Sequence, residues 1–331
     1  MNRRATITGL GMYAPSRILT NKDLEEMVDT SDEWITTRTG IKERHIAADD
    51  QPTSELALES AREALEEANL EAAELDLILV ATVTPDMFFP ATACILEDKL
   101  GAGGAATFDL EAGCSGFVYG LSTAAQYIET GMYDNILVIG AETLSKITDW
   151  EDRSTCVLFG DGAGAAVLQP TAEGGLFEFD LGSDGSGGTS LKIPGGGSLN
   201  PACEESVNNK LHYIKMEGNE VFKFAVKRMS QSSLDVLEKA DIDPDDVDLF
   251  VPHQANTRII DAAAKRLGLE EDEVFVNLPD YGNTSSASIP IALYEAREKG
   301  LVNQGDTIVL VAFGAGLTWA STVLEWTREE K

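Results

Sequence analysis

Short apolar runs alternate with stretches in which apolar residues recur every three or four positions, and this alternation predicts an α/β architecture. In the first half, residues 5–10, 75–83, 105–110, 135–140 and 157–168 read as strands. The run 75–83 is apolar except at Asp76 and Thr82, the pattern of a strand buried on both faces. Helices are predicted over 23–28, after the capping segment Thr30-Ser31-Asp32-Glu33-Trp34-Ile35, and from a Ser54 cap through Leu56, Ala57, Ala61, Ala64, Leu65 and Ala68. The pattern then starts again: helix 221–237, strand 247–251, helix 256–267 stopping at Gly268, strands 274–278 and 307–312, and a closing segment 318–326. This recurrence predicts a duplicated α/β unit with halves 1–172 and 173–331. The Gly- and Ser-rich stretch 182–198 reads as a surface connection in the boundary region.

In each half a strand hands reactive residues to a loop and a helix. Run 105–110 stops just before Ala112-Gly113-Cys114-Ser115-Gly116-Phe117, and Phe117, Val118, Leu121, Ala124, Ala125 and Ile128 then recur at helical spacing up to Gly131. A buried helix starting at about Cys114 puts the thiol beside unpaired N–H groups and the positive end of the helix dipole, which favours the thiolate. Gly113 and Gly116 allow a sharp turn and leave room for a substrate. A lone cysteine is more often a small core residue. Packing needs no such clearance on both sides, however, so Cys114 is the candidate nucleophile.

His253, in Pro252-His253-Gln254-Ala255-Asn256, directly follows an apolar run, and Asn283 stands in Tyr281-Gly282-Asn283-Thr284-Ser285-Ser286. Either alone reads as a satisfied polar group or a turn cap. Three such residues at strand ends, each flanked by small residues, read instead as a catalytic set. Phe159-Gly160-Asp161-Gly162-Ala163-Gly164-Ala165 spaces its glycines like a nucleotide loop. It lacks the Lys-Ser/Thr of a phosphate loop and continues as an apolar strand. Its glycines are expected to allow close packing against the cysteine helix.

Composition narrows the function. A chain of 331 residues with 43% hydrophobic side chains buries one large core or two medium ones. Cys94, Cys114, Cys156 and Cys203 are widely spaced with no C-x-x-C pair, which predicts neither a metal site nor a disulfide framework. Met1-Asn2-Arg3-Arg4 precedes only a short apolar stretch, so no membrane span and a cytoplasmic location are expected. With 25 basic against 56 acidic residues the net charge is -31, which excludes nucleic acid as a partner. Self-repulsion on that scale is relieved near 1 M salt, where the Debye length is about 3 Å. A salt-rich cytoplasm is therefore expected.

Taken together, these blocks resemble a β-ketoacyl-acyl carrier protein synthase III, the initiating condensing enzyme of the thiolase superfamily. The resemblance runs from Ile7-Thr8-Gly9 to Ala312-Phe313-Gly314. It includes Thr37-Arg38-Thr39-Gly40-Ile41, Arg44-His45-Ile46 and Gly218-Asn219-Glu220-Val221-Phe222-Lys223 as well as the segments above. It implies a thiolase-like α-β-α-β-α sandwich and a homodimer. It also implies acyl transfer from acyl-CoA to Cys114, then decarboxylative condensation with malonyl-acyl carrier protein aided by His253 and Asn283, with no cofactor beyond the substrates.

The backbone N–H groups of Cys114 and Ala315 would hold the oxyanion. Ala315 stands where many members have glycine, and Ala320 follows Trp319 where glycine is common; the first change leaves the backbone donor intact. The same resemblance assigns Trp34, Arg38, Arg153 and Asn256 to CoA. It assigns Phe89, Phe159 and Phe313 to the acyl pocket, with Phe89 reaching toward a partner subunit. Acyl carrier proteins are acidic, so a local basic patch is required. Among Lys215, Lys223, Lys227, Arg228, Arg258, Lys265 and Arg266, Lys223 and Arg258 fall in matched blocks and are the docking candidates.

Chain-elongating synthases carry a second histidine where Asn283 stands, and thiolases a second cysteine. A Cys-His-Asn enzyme of polyketide or other secondary metabolism remains an alternative. A cysteine hydrolase would gain nothing from Asn283, and a non-catalytic carrier-binding protein would not need all three positions filled.

Overall fold

A computed structural model of the chain describes residues 3–328, so Met1 and Asn2 of the opening segment lie outside the described residues. The first half supplies strands β1 (Arg4–Tyr13), β2 (Arg17–Thr20), β3 (Glu43–Ile46), β4 (Leu77–Ala81), β5 (Ala106–Leu110), β6 (Ile136–Glu142) and β7 (Gly162–Thr171). Its helices are α1 (Asn21–Glu25), α2 (Asp32–Thr39), α3 (Thr53–Ala68), α4 (Thr92–Leu100), α5 (Gly116–Glu129) and α6 (Arg153–Cys156). The remainder supplies strands β8 (Gly175–Ser183), β9 (Leu191–Lys192), β10 (Lys215–Met216), β11 (Leu249–Pro252), β12 (Thr307–Gly314) and β13 (Thr318–Glu325). With them come helices α7 (Glu204–Asn208), α8 (Gly218–Ala240), α9 (Thr257–Leu267), α10 (Leu278–Tyr281) and α11 (Ser288–Glu298).

Two sheets carry the molecule. One has the order β1-β7-β6-β4-β5, with β4 parallel to both its neighbours; the other has the order β11-β12-β13-β8, with β11 and β12 parallel. Strand periodicity sends alternate side chains to opposite faces. Leu77 and Leu79 of β4 and Ile308, Leu310 and Ala312 of β12 join one cluster around α5 and α11, between the sheets. Ile78 and Val80 face α3 on one outside, and Val309, Val311 and Phe313 face α8 and α9 on the other. The layers are therefore α-β-α-β-α. At Gly9 the α3 backbone comes so close that a Cβ would lie 2.1 Å from the Ala64 carbonyl oxygen.

Several expectations shift. Pro52 is the cap residue of α3; Ser54 lies in its first turn, and its hydroxyl donates to Asp86 at 2.7 Å. α1 covers 21–25 because Thr20 and Asp23 form a capping box. Residues 274–278 are not a strand. Val274 makes one isolated bridge to Phe250, after which Gln254 Oε1 accepts from the N–H groups of Asn277 and Leu278 and the chain turns into α10. The chain passes from one sheet to the other between Thr171 and Gly175, and the 182–198 stretch begins in β8 and continues into the wall of a cavity. The glycines of 160–164 pack against the Tyr281 carbonyl, Pro290 and Ile291, on α10 and α11, and not against the cysteine helix.

Candidate active site

Cys114 occupies a single 3-10 turn, Gly113–Ser115, that leads into α5. Gly113 has φ +55°, and a Cβ there would lie 2.7 Å from the Ala315 nitrogen; a Cβ on Gly314 would lie 2.5 Å from the Cys114 nitrogen. Two glycines thus press the turn and the end of β12 together until two N–H groups, of Cys114 and Ala315, sit side by side. Among the described residues neither donates to a protein acceptor. Cys114, Gly113, Ala315 and Ser285 share the wall of a cavity of about 530 Å³ with Val83, Leu144, Ile147, Phe159 and Ile214.

The expectation of a favoured thiolate does not hold in the free site. Desolvation pushes the Cys114 thiol up to about 12, and the Ser285 hydroxyl pulls the other way. Desolvation at the cavity wall disfavours the charged form of the sulfur.

His253 follows β11, its N–H donating to Val311 O of the parallel strand β12 at 2.8 Å. It is buried, neither ring nitrogen has a hydrogen-bond partner, and the ring meets Phe313 edge-on at 5.3 Å. Burial alone lowers its pKa to about 3, so the imidazole is neutral. Asn283 is pinned across the halves: its N–H donates to Leu158 O at 2.9 Å, and its carbonyl accepts from the Gly160 N–H at 3.0 Å. Its Oδ1 accepts from the Ser285 N–H at 2.9 Å, which commits the oxygen, while Nδ2 has no protein acceptor among the described residues. The pieces abut: the Cys114 turn packs on β12 and on the Ser285–Ala287 turn, and the Ser288 hydroxyl accepts from the Gln254 N–H at 2.7 Å.

The outer residues divide. The Arg153 guanidinium lies 4.4 Å over the exposed Trp34 ring, and Arg38 is exposed on α2 nearby. Asn256 is largely committed: its Oδ1 caps α9 through the Arg258 N–H, and Nδ2 donates to Arg38 O at 3.0 Å, which ties α2 to α9. Phe159 lines the cavity as expected. Phe313 does not, because it packs against His253, and Phe89 is 84% exposed while its neighbour Phe88 reaches the cavity rim.

Of the basic residues, Arg258 on α9 lies 5.0 Å over the Phe222 ring of α8, and Lys223 on α8 pairs with Glu220. Lys215 pairs with Asp149, Arg228 lies over Trp319, and Lys265 and Arg266 occupy the far end of α9, roughly 10 Å away at helical rise.

Sequence reasoning missed Glu142, Ser285, Ser286 and Gln254. A signal existed for Glu142: a carboxyl closes the otherwise apolar, fully buried strand β6.

Comparisons bear on the whole chain. A family profile described as 3-oxoacyl-[acyl-carrier-protein (ACP)] synthase III matches residues 108–185, and the profile of its C-terminal part matches 237–326. The chain is 62% identical to a beta-ketoacyl-[acyl-carrier-protein] synthase III of Caldanaerobacter subterraneus subsp. tengcongensis, over 98% of each chain. Its fold matches 3-oxoacyl-[acyl-carrier-protein] synthase III from Aquifex aeolicus VF5 with a TM-score of 0.91 and 49% identity, covering 97% of this chain and 100% of that one. It also matches the priming β-ketosynthase of the R1128 polyketide biosynthetic pathway, with a TM-score of 0.92 and 37% identity over 99% and 98% of the two chains.

Proposed function

Because the chain belongs to the 3-oxoacyl-[acyl-carrier-protein] synthase III family, condensing acyltransferases of the thiolase fold that initiate fatty acid synthesis, we propose that Cys114, His253 and Asn283 divide that chemistry among them. The carrying observation is that, among the described residues, the N–H groups of Cys114 and Ala315 on the cavity wall and both ring nitrogens of the buried His253 are left without protein partners.

In the first step Cys114 Sγ attacks the acyl-CoA carbonyl, the oxyanion rests on the two N–H groups, and the CoA sulfur leaves with the proton the thiol gave up. The raised thiol pKa makes that proton transfer part of the step itself. In the second step the malonyl group loses carbon dioxide, and the electron pair moves onto the thioester as an enolate. A neutral imidazole N–H from His253 and Nδ2 of Asn283 stabilise it. The enolate carbon attacks the acyl-Cys114 carbonyl, and Sγ departs with the electron pair of the broken C–S bond, releasing 3-oxoacyl carrier protein. The apolar cavity receives the starter's hydrocarbon.

The Arg153–Trp34 stack and Arg38 offer a purine platform and a phosphate contact for acyl-CoA. Asn256 has one free amide hydrogen for the pantetheine arm. Phe88 and Phe89, both more than 80% exposed beside the cavity, suit burial by a second copy of the chain. Among the described residues no helix is long and apolar enough to cross a membrane.

The test separates the half-reactions. With labelled acyl-CoA and malonyl-carrier, Cys114→Ala abolishes acyl-enzyme formation while carbon dioxide release persists; His253→Ala does the reverse. Acyl-enzyme surviving in the first variant, or decarboxylation surviving in the second, contradicts the assignment.

A further inference from the structure

Glu142 ends β6 with no accessible surface, and among the described residues no basic side chain forms an ion pair with it. Its surroundings are neutral donors from two segments that border the cavity. From the end of β4, the Thr84 hydroxyl lies 2.6 Å from Oε2, the Thr82 hydroxyl 3.3 Å and the Val83 N–H 3.2 Å. From the loop carrying Asn283, the Ser285 and Ser286 hydroxyls lie 3.1 and 2.8 Å from Oε1. The titratable group facing it is Cys114, reached through Ser285.

Counting protons decides its state. Ser286 Oγ lies 2.8 Å from Glu142 Oε1 and also 2.8 Å from the Ala81 carbonyl oxygen. A hydroxyl has one proton, and a carboxylate and a carbonyl are both acceptors. With Glu142 ionised, one of these close oxygen pairs has no hydrogen between its atoms. With Glu142 protonated, its own O–H donates to Ser286, Ser286 donates to Ala81, and both contacts are hydrogen bonds. Burial raises this carboxyl's pKa, in the same direction.

We propose that Glu142 is held as a neutral carboxylic acid and is a positioning residue for the condensation: its O–H, passed through Ser286 to Ala81, fixes the loop that presents Asn283 and Ser285 to Cys114. The neutral form also spares Cys114 a like charge when its sulfur ionises during acyl transfer. The proposal rests on the functional reading above, and its first readout does not depend on activity.

Infrared difference spectra of wild type against Glu142→Gln at neutral pH show a protonated-carboxyl band in the wild type; carboxylate bands alone overturn the proposal. In kinetics, Glu142→Asp withdraws the group by one methylene and lowers kcat for condensation roughly 10- to 100-fold, the scale of a lost buried hydrogen bond, with KM for both substrates unchanged. Glu142→Gln offers an N–H where the acid offers its O–H and recovers most of that loss. A Gln variant as impaired as the Asp variant contradicts the neutral-donor role, and equal KM and kcat changes in both indicate mere misfolding. Wild-type enzyme that fails to condense refutes the functional reading and leaves the infrared result standing.

Discussion

His253 is buried as a neutral group, and this has a consequence outside catalysis. Its folded pKa of about 3 lies below the unfolded value of 6.5. Between these values the unfolded chain binds a proton that the folded chain refuses, so stability rises with pH across that window and is lost on acidification. The contribution approaches about 1.4 kcal/mol per pH unit traversed. Denaturant melts of wild type and His253→Ala between those values should show a shallower acid slope in the variant; parallel slopes would mean that the imidazole is protonated in the folded state. Asn283 makes a related point about what a sequence reveals. Its place in Gly282-Asn283-Thr284 marks it as a candidate, but the orientation of its amide depends on Ser285 beside it, and its position depends on Leu158 and Gly160, more than a hundred residues away. The identity is local information, whereas the geometry is not.

At the scale of elements, the site depends on how closely β12 and the Cys114 turn approach. A methyl at Gly314 would stand 2.5 Å from the Cys114 nitrogen, so Gly314→Ala must separate the two N–H groups proposed to hold the oxyanion. Loss of one such donor costs about 100-fold in rate. Gly314→Ala should therefore lower kcat for acyl transfer by that order with little change in KM for acyl-CoA, measured by burst kinetics; an unchanged burst rate removes Ala315 from the oxyanion role. Elements also mark where pattern reading succeeds and fails. β4, β6 and β12 follow their apolar runs because burial on both faces leaves no alternative side for water. α11 was not foreseen: it opens on serines and has Pro290 in its first turn, a composition that reads as loop although proline is tolerated there. The segment 274–278 misled in the opposite sense, because the buried Gln254 side chain takes N–H groups that a strand ladder would otherwise use.

The whole molecule carries its charge unevenly, and docking of an acidic carrier has to contend with that. Glu238, Asp241, Asp243 and Asp246 line one surface depression that includes no cation, and a net charge of -31 repels both these neighbours and any acidic partner. Raising salt from low to about molar concentration contracts the Debye length from roughly 30 Å to 3 Å. The unfolding midpoint should therefore climb with sodium chloride; a flat profile would identify an acidic protein without a salt requirement. The same screening weakens attraction between the carrier and any basic patch, so the patch must work at short range. Lys223 and Arg258 are the candidates for such a patch: they stand on the packed helices α8 and α9, Arg258 lies over Phe222, and it follows Asn256, which bonds the Arg38 carbonyl on α2. Lys223→Glu with Arg258→Glu should raise KM for malonyl-carrier several-fold at low salt, by less at high salt, and leave acyl transfer from acyl-CoA unchanged. Salt separates the possible causes, because an electrostatic patch loses its advantage as ions are added, whereas a distorted pocket impairs both substrates at every ionic strength; equal losses on both substrates would place carrier docking elsewhere on the surface.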